Sequence, residues 1–260
     1  MNTFPGISII TPCLNQAGFL TECLQSVAAA GGSAEHIVVD GGSTDGTLDI
    51  LRRHSAEWTS EPDSGQTDAI NKGLARARGG VLGYLCGDDL LAPASLDLVL
   101  AAFERHPEVD FVYGDGWFLE GDSGWRRAKK AGPFTYERLR RGNFLIQPAV
   151  FFRRSLMERI GPFDASLQFC MDHEYWLRAG PAARWHYLAV PLAVSRLHPD
   201  AKTSSRLSEA WEEASRMQRR YGIRWRPAME ALWMKTFGHH YYRAKRIAFE
   251  RIGRSLHPAA

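Results

Sequence analysis

Cysteine is scarce: four residues in 260, none in a Cys-x-x-Cys pair, which excludes a disulfide framework and a thiolate metal site. Cys13, Cys23, Cys86 and Cys170 therefore read as ordinary thiols of a protein kept in a reducing compartment. Long apolar runs are also missing. The longest, such as residues 187–194, fall well short of the ~20 residues of a spanning helix, so an integral membrane protein is not expected. No basic leader or cleavage-like site precedes Ile7-Ser8-Ile9-Ile10, and a cytoplasmic protein is the expectation. Neither a Gly-x-Gly-x-x-Gly nor a Walker segment occurs, which disfavours dinucleotide dehydrogenases and P-loop enzymes. Charge of one sign is modest overall: the net charge is +3, and 45% hydrophobic with 23% charged residues is a soluble composition.

What is present is a rhythm of short β-like runs alternating with amphipathic helical stretches, the pattern of βαβ units and a mainly parallel sheet. Strands are expected at 7–11, 36–40, near Trp58, at 81–85 and at 111–113. Helices are expected at 19–30, 47–53, 66–78 and 93–106, giving an α/β, doubly wound sheet flanked by helices. Residues 114–128 read as a hairpin turning at Gly121-Asp122-Ser123-Gly124. A helix at about 207–221 is expected to leave this body and open a C-terminal helical extension. The organisation that follows is a main domain of residues 1–203, with a first half at 1–115 and a second at 116–203, and an extension at 204–260. Residues 216–254 of that extension hold eleven Lys/Arg against two Glu, interleaved with aromatics. Such a segment either docks on an anionic membrane surface or packs on the main domain. No nucleic-acid motif accompanies the charge.

The most informative stretch is Tyr84-Leu85-Cys86-Gly87-Asp88-Asp89, where a short apolar run ends in two adjacent carboxylates. Side chains at the carboxyl end of a buried strand face the crevice where open α/β sheets bind ligands. Two carboxylates there repel by roughly 4 kcal/mol at about 4 Å and an effective dielectric of about 20. A hard divalent cation such as Mg²⁺ or Mn²⁺, bridging to a diphosphate, offsets that repulsion; the alternative is a helix cap for the segment beginning near Pro93. Asp40-Gly41-Gly42-Ser43-Thr44-Asp45-Gly46-Thr47 follows the second strand, so Asp40 reaches the same crevice, where a carboxylate accepts from a base N–H or a ribose hydroxyl.

Ordered blocks carry a resemblance over roughly residues 7–200. They are Ser8-Ile9-Ile10-Thr11-Pro12-Cys13-Leu14-Asn15, the Asp40 to Thr47 segment, Glu61-Pro62-Asp63-Ser64-Gly65-Gln66, Asp68-Ala69-Ile70-Asn71-Lys72-Gly73 and Gly87-Asp88-Asp89. Gln147-Pro148-Ala149-Val150-Phe151-Phe152, Gly161-Pro162-Phe163-Asp164 and Met171-Asp172-His173-Glu174-Tyr175-Trp176-Leu177-Arg178 continue them. The chain resembles the family 2 glycosyltransferases, inverting enzymes of the GT-A fold that use nucleotide sugars.

The resemblance implies roles position by position. Thr11, Pro12 and Asn15 fall in the first nucleotide-sugar block, and Thr11 and Asp40 look like the groups that hold base and ribose. Asp68 and Lys72 lie toward ribose and phosphates, Asp88 orients ribose or donor sugar, and Asp89 is the metal ligand for Mn²⁺ or Mg²⁺. His198, in Arg196-Leu197-His198, matches a further metal ligand of some members. Asp172 matches the general base; Glu174 and Asp164 compete for that role, and Asp172 is also well placed as a helix cap. His173-Glu174-Tyr175 stands where many relatives have Tyr-Asp-Leu, so Gln147, His173 and Trp176 are acceptor candidates, Trp176 being equally suited to the core.

The implied partners are a nucleotide-sugar donor, UDP-sugar first, and a glycan or lipid-linked acceptor in cell-surface polysaccharide synthesis, with peripheral contact at the inner face of the membrane. A nucleotidyltransferase is the second reading, but Pro12-Cys13-Leu14-Asn15-Gln16 supplies no Gly-rich pyrophosphate loop. A non-catalytic, membrane-docked scaffold is the third, and the intact acidic residues argue against it.

Overall fold

The computed structural model describes residues 6–120, 125–198 and 201–223. Its centre is β1 (Ile7–Cys13), buried along its whole length, as a strand covered on both faces must be. Parallel neighbours flank it: β2 (Glu35–Asp40) on one side, then β3 (Glu57–Ser60), and β4 (Val81–Tyr84) on the other. The helices α1 (Leu20–Ala29), α2 (Thr47–Arg52) and α3 (Gln66–Arg76) make the crossovers.

Beyond β4 come a two-residue β5 (Leu90–Leu91), α4 (Ser95–Arg105), the long β6 (Phe111–Glu120), β7 (Trp125–Lys129) and α5 (Tyr136–Arg141). β8 (Val150–Arg153), α6 (Arg154–Ile160), α7 (Met171–Ala179) and β9 (Trp185–Leu197) complete the sheet, and α8 (Lys202–Ser205) and α9 (Leu207–Arg220) follow. Among the described residues the strand order is β3-β2-β1-β4-β8-β6-β9-β5, with β7 paired to β6. β8 runs antiparallel to β4 and β6, β5 antiparallel to β9, and β6 parallel to β9.

Side-chain alternation along the strands supplies two apolar layers. Ile7 and Ile9 of β1 and Phe151 of β8 pack with Cys23, Val27, Leu96 and Val99 of α1 and α4. Ile10 and Phe152 face the other way, toward Ile70 and Leu74 of α3 and Tyr175 and Trp176 of α7. Helices cover both faces, so the α/β, mainly parallel, doubly wound reading holds.

Two expectations change. The strand at 111–113 continues to Glu120 and is itself the first arm of the hairpin with β7; its turn at 121–124 lies outside the described residues. The helix at 207–221 does not leave the body. In α9, Ala210, Glu213 and Met217 form a buried stripe, and Met217 and Ile223 enter the main core. The Glu213 carboxylate accepts the backbone N–H groups of Gln168, Phe169 and Cys170 at 2.7, 2.6 and 3.0 Å, closing off the turn before α7. The basic, aromatic segment at 224–260 lies outside the described residues.

Glu213→Gln replaces an all-acceptor group with one whose amide faces three N–H donors. We expect a loss of about 1–3 kcal/mol in urea unfolding at neutral pH. Burial opposes ionisation of Glu213, but the backbone bonds outweigh it and hold the carboxyl below its ordinary 4.5. Its contribution is therefore full above that value and is lost as pH falls through the depressed folded value. The gap between wild type and variant should narrow under acid; a gap that widens would contradict the bonding scheme.

Candidate active site at the strand carboxyl ends

Register sets the crevice. Cys13 lies opposite Asp40, the Leu85 N–H donates to the Ile10 carbonyl and the Glu61 N–H to the Asp40 carbonyl, so the carboxyl ends of β1 to β4 finish side by side. Asp40 is fully buried. Its Oδ2 accepts from the N–H of Gly42 and Ser43 and from Ser60 Oγ at 3.1, 2.9 and 2.6 Å, and its Oδ1 accepts from Ser43 Oγ. Burial alone would raise this carboxyl, yet the bonds from Ser43, Ser60 and Gly42 pull it below its ordinary value. Protein donors take nearly all the roughly four lone-pair positions of a carboxylate, so Asp40 shapes the turn from beneath and offers no free oxygen to a nucleotide.

The loop after β1 is tied to that turn. Asn15, exposed and with φ 53°, accepts from Thr44 N–H through Oδ1 and donates its own N–H to Ser43 Oγ. Thr11 is fully buried, its Oγ1 2.9 Å from His36 Nε2, and Pro12 is buried beside it. Asp68 accepts from Ser64 N–H, and the Lys72 ammonium lies 2.9 Å from Glu61 and 3.5 Å from Asp68. These residues rim the crevice next to β3.

The acidic group forms at the end of β4. Cys86, Asp88 and Asp89 place one ligand atom each within 4.8 Å of one another. β5 pairs Leu90 with Val194 and Leu91 with Ala193, which brings the end of β9 over this loop. Asp89, 6% exposed, accepts from Arg196 N–H at 2.8 Å, and His198 Nε2 donates to Asp88 Oδ2 at 3.0 Å. His198 Nδ1 is buried with no hydrogen-bond partner among the described residues. Burial, then the charge of Asp88, holds the Asp89 carboxyl well above its usual range. The carboxylates of Asp88 and Asp89 are hard oxygen ligands that fit Mg²⁺ or Mn²⁺, while burial pushes the Cys86 thiol well above its ordinary value and disfavours the thiolate a metal would need.

Across the crevice Gln147 donates from Nε2 to the Tyr84 carbonyl at 2.7 Å, with its Oε1 3.9 Å from Cys86 Sγ. Asp172, at the start of α7, accepts from Asn143 Nδ2 at 2.8 Å and from His173 N–H at 2.7 Å. Burial raises its carboxyl, opposed by His173 and these bonds. The Tyr84 phenol is raised by burial first and then by the charge of Asp172, with Cys86 and Asp89 adding to it. Glu174 and Asp164 are otherwise engaged. Glu174 is buried, held by Arg178 and by the Tyr221 hydroxyl at 2.6 Å. Asp164 binds Ser166 and Arg220.

Two acceptor candidates turn inward, which corrects the expectation that they contact substrate. Trp176 is 1% exposed, edge-on to Phe111 at 5.3 Å, and so takes the core role. His173 is 5% exposed, with Nε2 2.8 Å from the Leu139 carbonyl. Two residues of the site had no assigned role from sequence. Cys86 receives Gln66 Nε2 at 3.0 Å and joins the acidic group; its position two residues before Asp88 was the available signal. Asn143, 29 residues from Asp172, had none.

With this geometry in view, comparison with known proteins is informative. Residues 8–161 match the family described as Glycosyl transferase family 2. The chain is 35% identical over 199 residues to the PGL/p-HBAD biosynthesis glycosyltransferase of Mycobacterium bovis, covering 73% of this chain and 76% of that protein. Two solved structures share the fold. One is TarS 1-349 of S. aureus in complex with UDP-GlcNAc (TM-score 0.65, 19% identity, 81% of this chain and 65% of that one). The other is the mannosyltransferase PcManGT of Pyrobaculum calidifontis in complex with GDP-Man and Mn²⁺ (TM-score 0.60, 21% identity, 83% and 65%). The chain thus spans less than two thirds of each of these solved chains. A sheet of this order, an acidic strand-end loop closed by β9 and a match across more than half the sequence lead to one conclusion: the chain belongs to glycosyl transferase family 2, a glycosyltransferase of the GT-A fold.

Proposed function

We propose that this glycosyltransferase moves a sugar from a nucleoside-diphosphate donor, a UDP-sugar first, to a hydroxyl of a glycan or lipid-linked acceptor in cell-surface polysaccharide synthesis, with inversion at the anomeric carbon. The observation that carries the reading is the group of Cys86, Asp88 and Asp89 at the carboxyl end of β4, closed over by the end of β9. The TarS and PcManGT complexes, bound to UDP-GlcNAc and to GDP-Man with Mn²⁺, support a nucleotide-sugar donor. Residues 1–115 form the donor half and 116–203 the acceptor half. Among the described residues, no helix is long and apolar enough to cross a membrane, and contact with an anionic membrane is assigned to the basic C-terminal segment.

Asp172 removes the proton from the acceptor hydroxyl as its oxygen attacks the anomeric carbon, and the nucleoside diphosphate leaves from the opposite face. One base is enough, since inversion by direct displacement needs no covalent glycosyl-enzyme. Asn143 and the His173 N–H each bind one oxygen of Asp172 and fix the carboxylate, whose remaining lone pairs would take the hydroxyl proton. Asp89 would hold the divalent cation, with His198 and Asp88 beside it, and a cation bound there supplies charge neutralisation to the departing diphosphate. Asn15, Asp68 and Lys72 border the nucleotide, Thr11, Pro12 and Asp40 support its floor, and Gln147 lies between donor and acceptor.

We expect a thermal-shift panel of UDP, GDP and dTDP to give a manganese-dependent rise for the cognate nucleotide, since a ligand of the native state raises stability by linkage. No shift with any of them would remove the nucleotide-sugar reading. Asp89→Ala should weaken Mn²⁺-dependent nucleotide binding in calorimetry, and unchanged titrations would take Asp89 out of the metal site.

Asp172→Asn should keep nucleotide binding and lose about 10²- to 10⁴-fold in transfer rate. Because burial raises Asp172 above its ordinary 3.8 and a base works only when ionised, activity should fall as pH drops through that raised value. Near-normal turnover of the variant with an acceptor used by the wild type would clear Asp172 of the role.

A further inference from the structure

On the acceptor half β7 and α5 carry cations that, among the described residues, pair with no carboxylate. On β7, Arg127 and Lys129 both lie over the ring of Phe118, at 5.0 and 5.4 Å from its centroid. On α5, Arg138 lies over Phe144 at 3.8 Å and donates to the Pro133 carbonyl at 3.1 Å. The acidic side chains described around them are occupied elsewhere. Glu137 pairs with Arg141, Asp115 accepts from Ala131 N–H and the Tyr187 hydroxyl, and Asp172 is held by Asn143 and His173.

An aromatic face attracts a cation without cancelling its charge. Lys129 is half-buried; burial and the charges of Arg127 and Arg138 lower its ammonium, while Asp172 raises it. Arg127 and Lys129 share the Phe118 ring, and Arg138 lies on Phe144, next in the chain to the Asn143 that holds Asp172; like charges gathered on this side are relieved best by a multivalent anion. Guanidinium groups match phosphate oxygens in paired hydrogen bonds, whereas a single carboxylate leaves most of the charge unanswered.

We propose that Arg127, Lys129 and Arg138 form an acceptor subsite for a phosphate group, so that the hydroxyl reaching Asp172 belongs to a phosphate-bearing acceptor. This rests on Asp172 marking the acceptor side.

The test is calorimetry on the full chain saturated with UDP and Mn²⁺, which fills the acidic crevice, using dodecyl phosphate, glycerol 3-phosphate, dodecanoate and neutral dodecyl maltoside. Both phosphates should bind, and their affinity should fall by about tenfold or more in Arg127→Gln/Lys129→Gln and in Arg138→Gln, and also as salt rises. Tighter dodecyl phosphate assigns the phosphate to a lipid, and equal affinities assign it to a polar acceptor; either supports the subsite. Lys129→Arg, which keeps the charge, should bind as the wild type does, separating charge from misfolding. Dodecanoate or maltoside binding as well as the phosphates, variants binding undiminished, or no phosphate binding at all would overturn the subsite. Asp172→Asn with full turnover would instead overturn the base and leave these titrations to be read on their own.

Discussion

The pairing of two residues, Leu90 and Leu91, with Ala193 and Val194 is the constraint on which the site depends. The strand is short, yet it fixes the loop after β4 against the end of β9. Asp89 thereby meets the Arg196 N–H and Asp88 meets His198, partners 107 and 110 residues away in the chain. Neither carboxylate would be tolerable at this depth without such donors. The parallel β6–β9 pair delivers the end of β9 to that place, with a register shift around Asp115 that adjusts the last five residues of each strand.

How each buried acid is satisfied separates architecture from chemistry. Asp40 and Glu213 are buried, but protein donors surround them and both are held below their ordinary values. Asp89 and Asp172 are raised, each having fewer donors than its burial demands. A carboxylate with spare lone pairs, held at an energetic cost in a crevice, is the pattern expected of a group that completes its coordination with ligand. Glu174 is buried too, and its bonds to Arg178 and Tyr221 tie α7 to the end of α9.

Much of this was legible in the sequence where local chemistry decides. The strand-end carboxylates, the βαβ rhythm and the ordered blocks locate the crevice, because a parallel sheet sends its carboxyl ends to one edge. What was not legible depends on partners distant in the chain. Asp164 and Glu174 compete with Asp172 on paper, where the resemblance alone favours Asp172, and their different partners, Arg220, Arg178 and Asn143, appear only in the folded chain. Glu213 reads as a solvated helical residue until its three backbone partners are known. The inward turn of His173 and Trp176 was readable: with Leu177 they fall at i, i+3 and i+4 of one helix, the spacing of a core stripe.

The distance between the two acidic sites is itself built by packing at a seam. Gln168, on the turn that Glu213 holds, donates to the Ser64 carbonyl at 3.3 Å and accepts from the Lys202 ammonium at 3.2 Å. Its amide presses on Gly65, where a Cβ would collide with it and where φ is +116°; glycine answers both demands at once. Thr67 Oγ1 donates to the Leu167 carbonyl and Asn71 exchanges two bonds with Phe163 across the same seam. The turn that leads into α7 is thus fastened to α3, the helix that packs on β1. Asp172 is positioned relative to Asp89 through this chain of contacts, and α9 closes it from outside through Glu213. The helix that the sequence assigns to an appendage is part of the frame that sets the separation of Asp172 from Asp89.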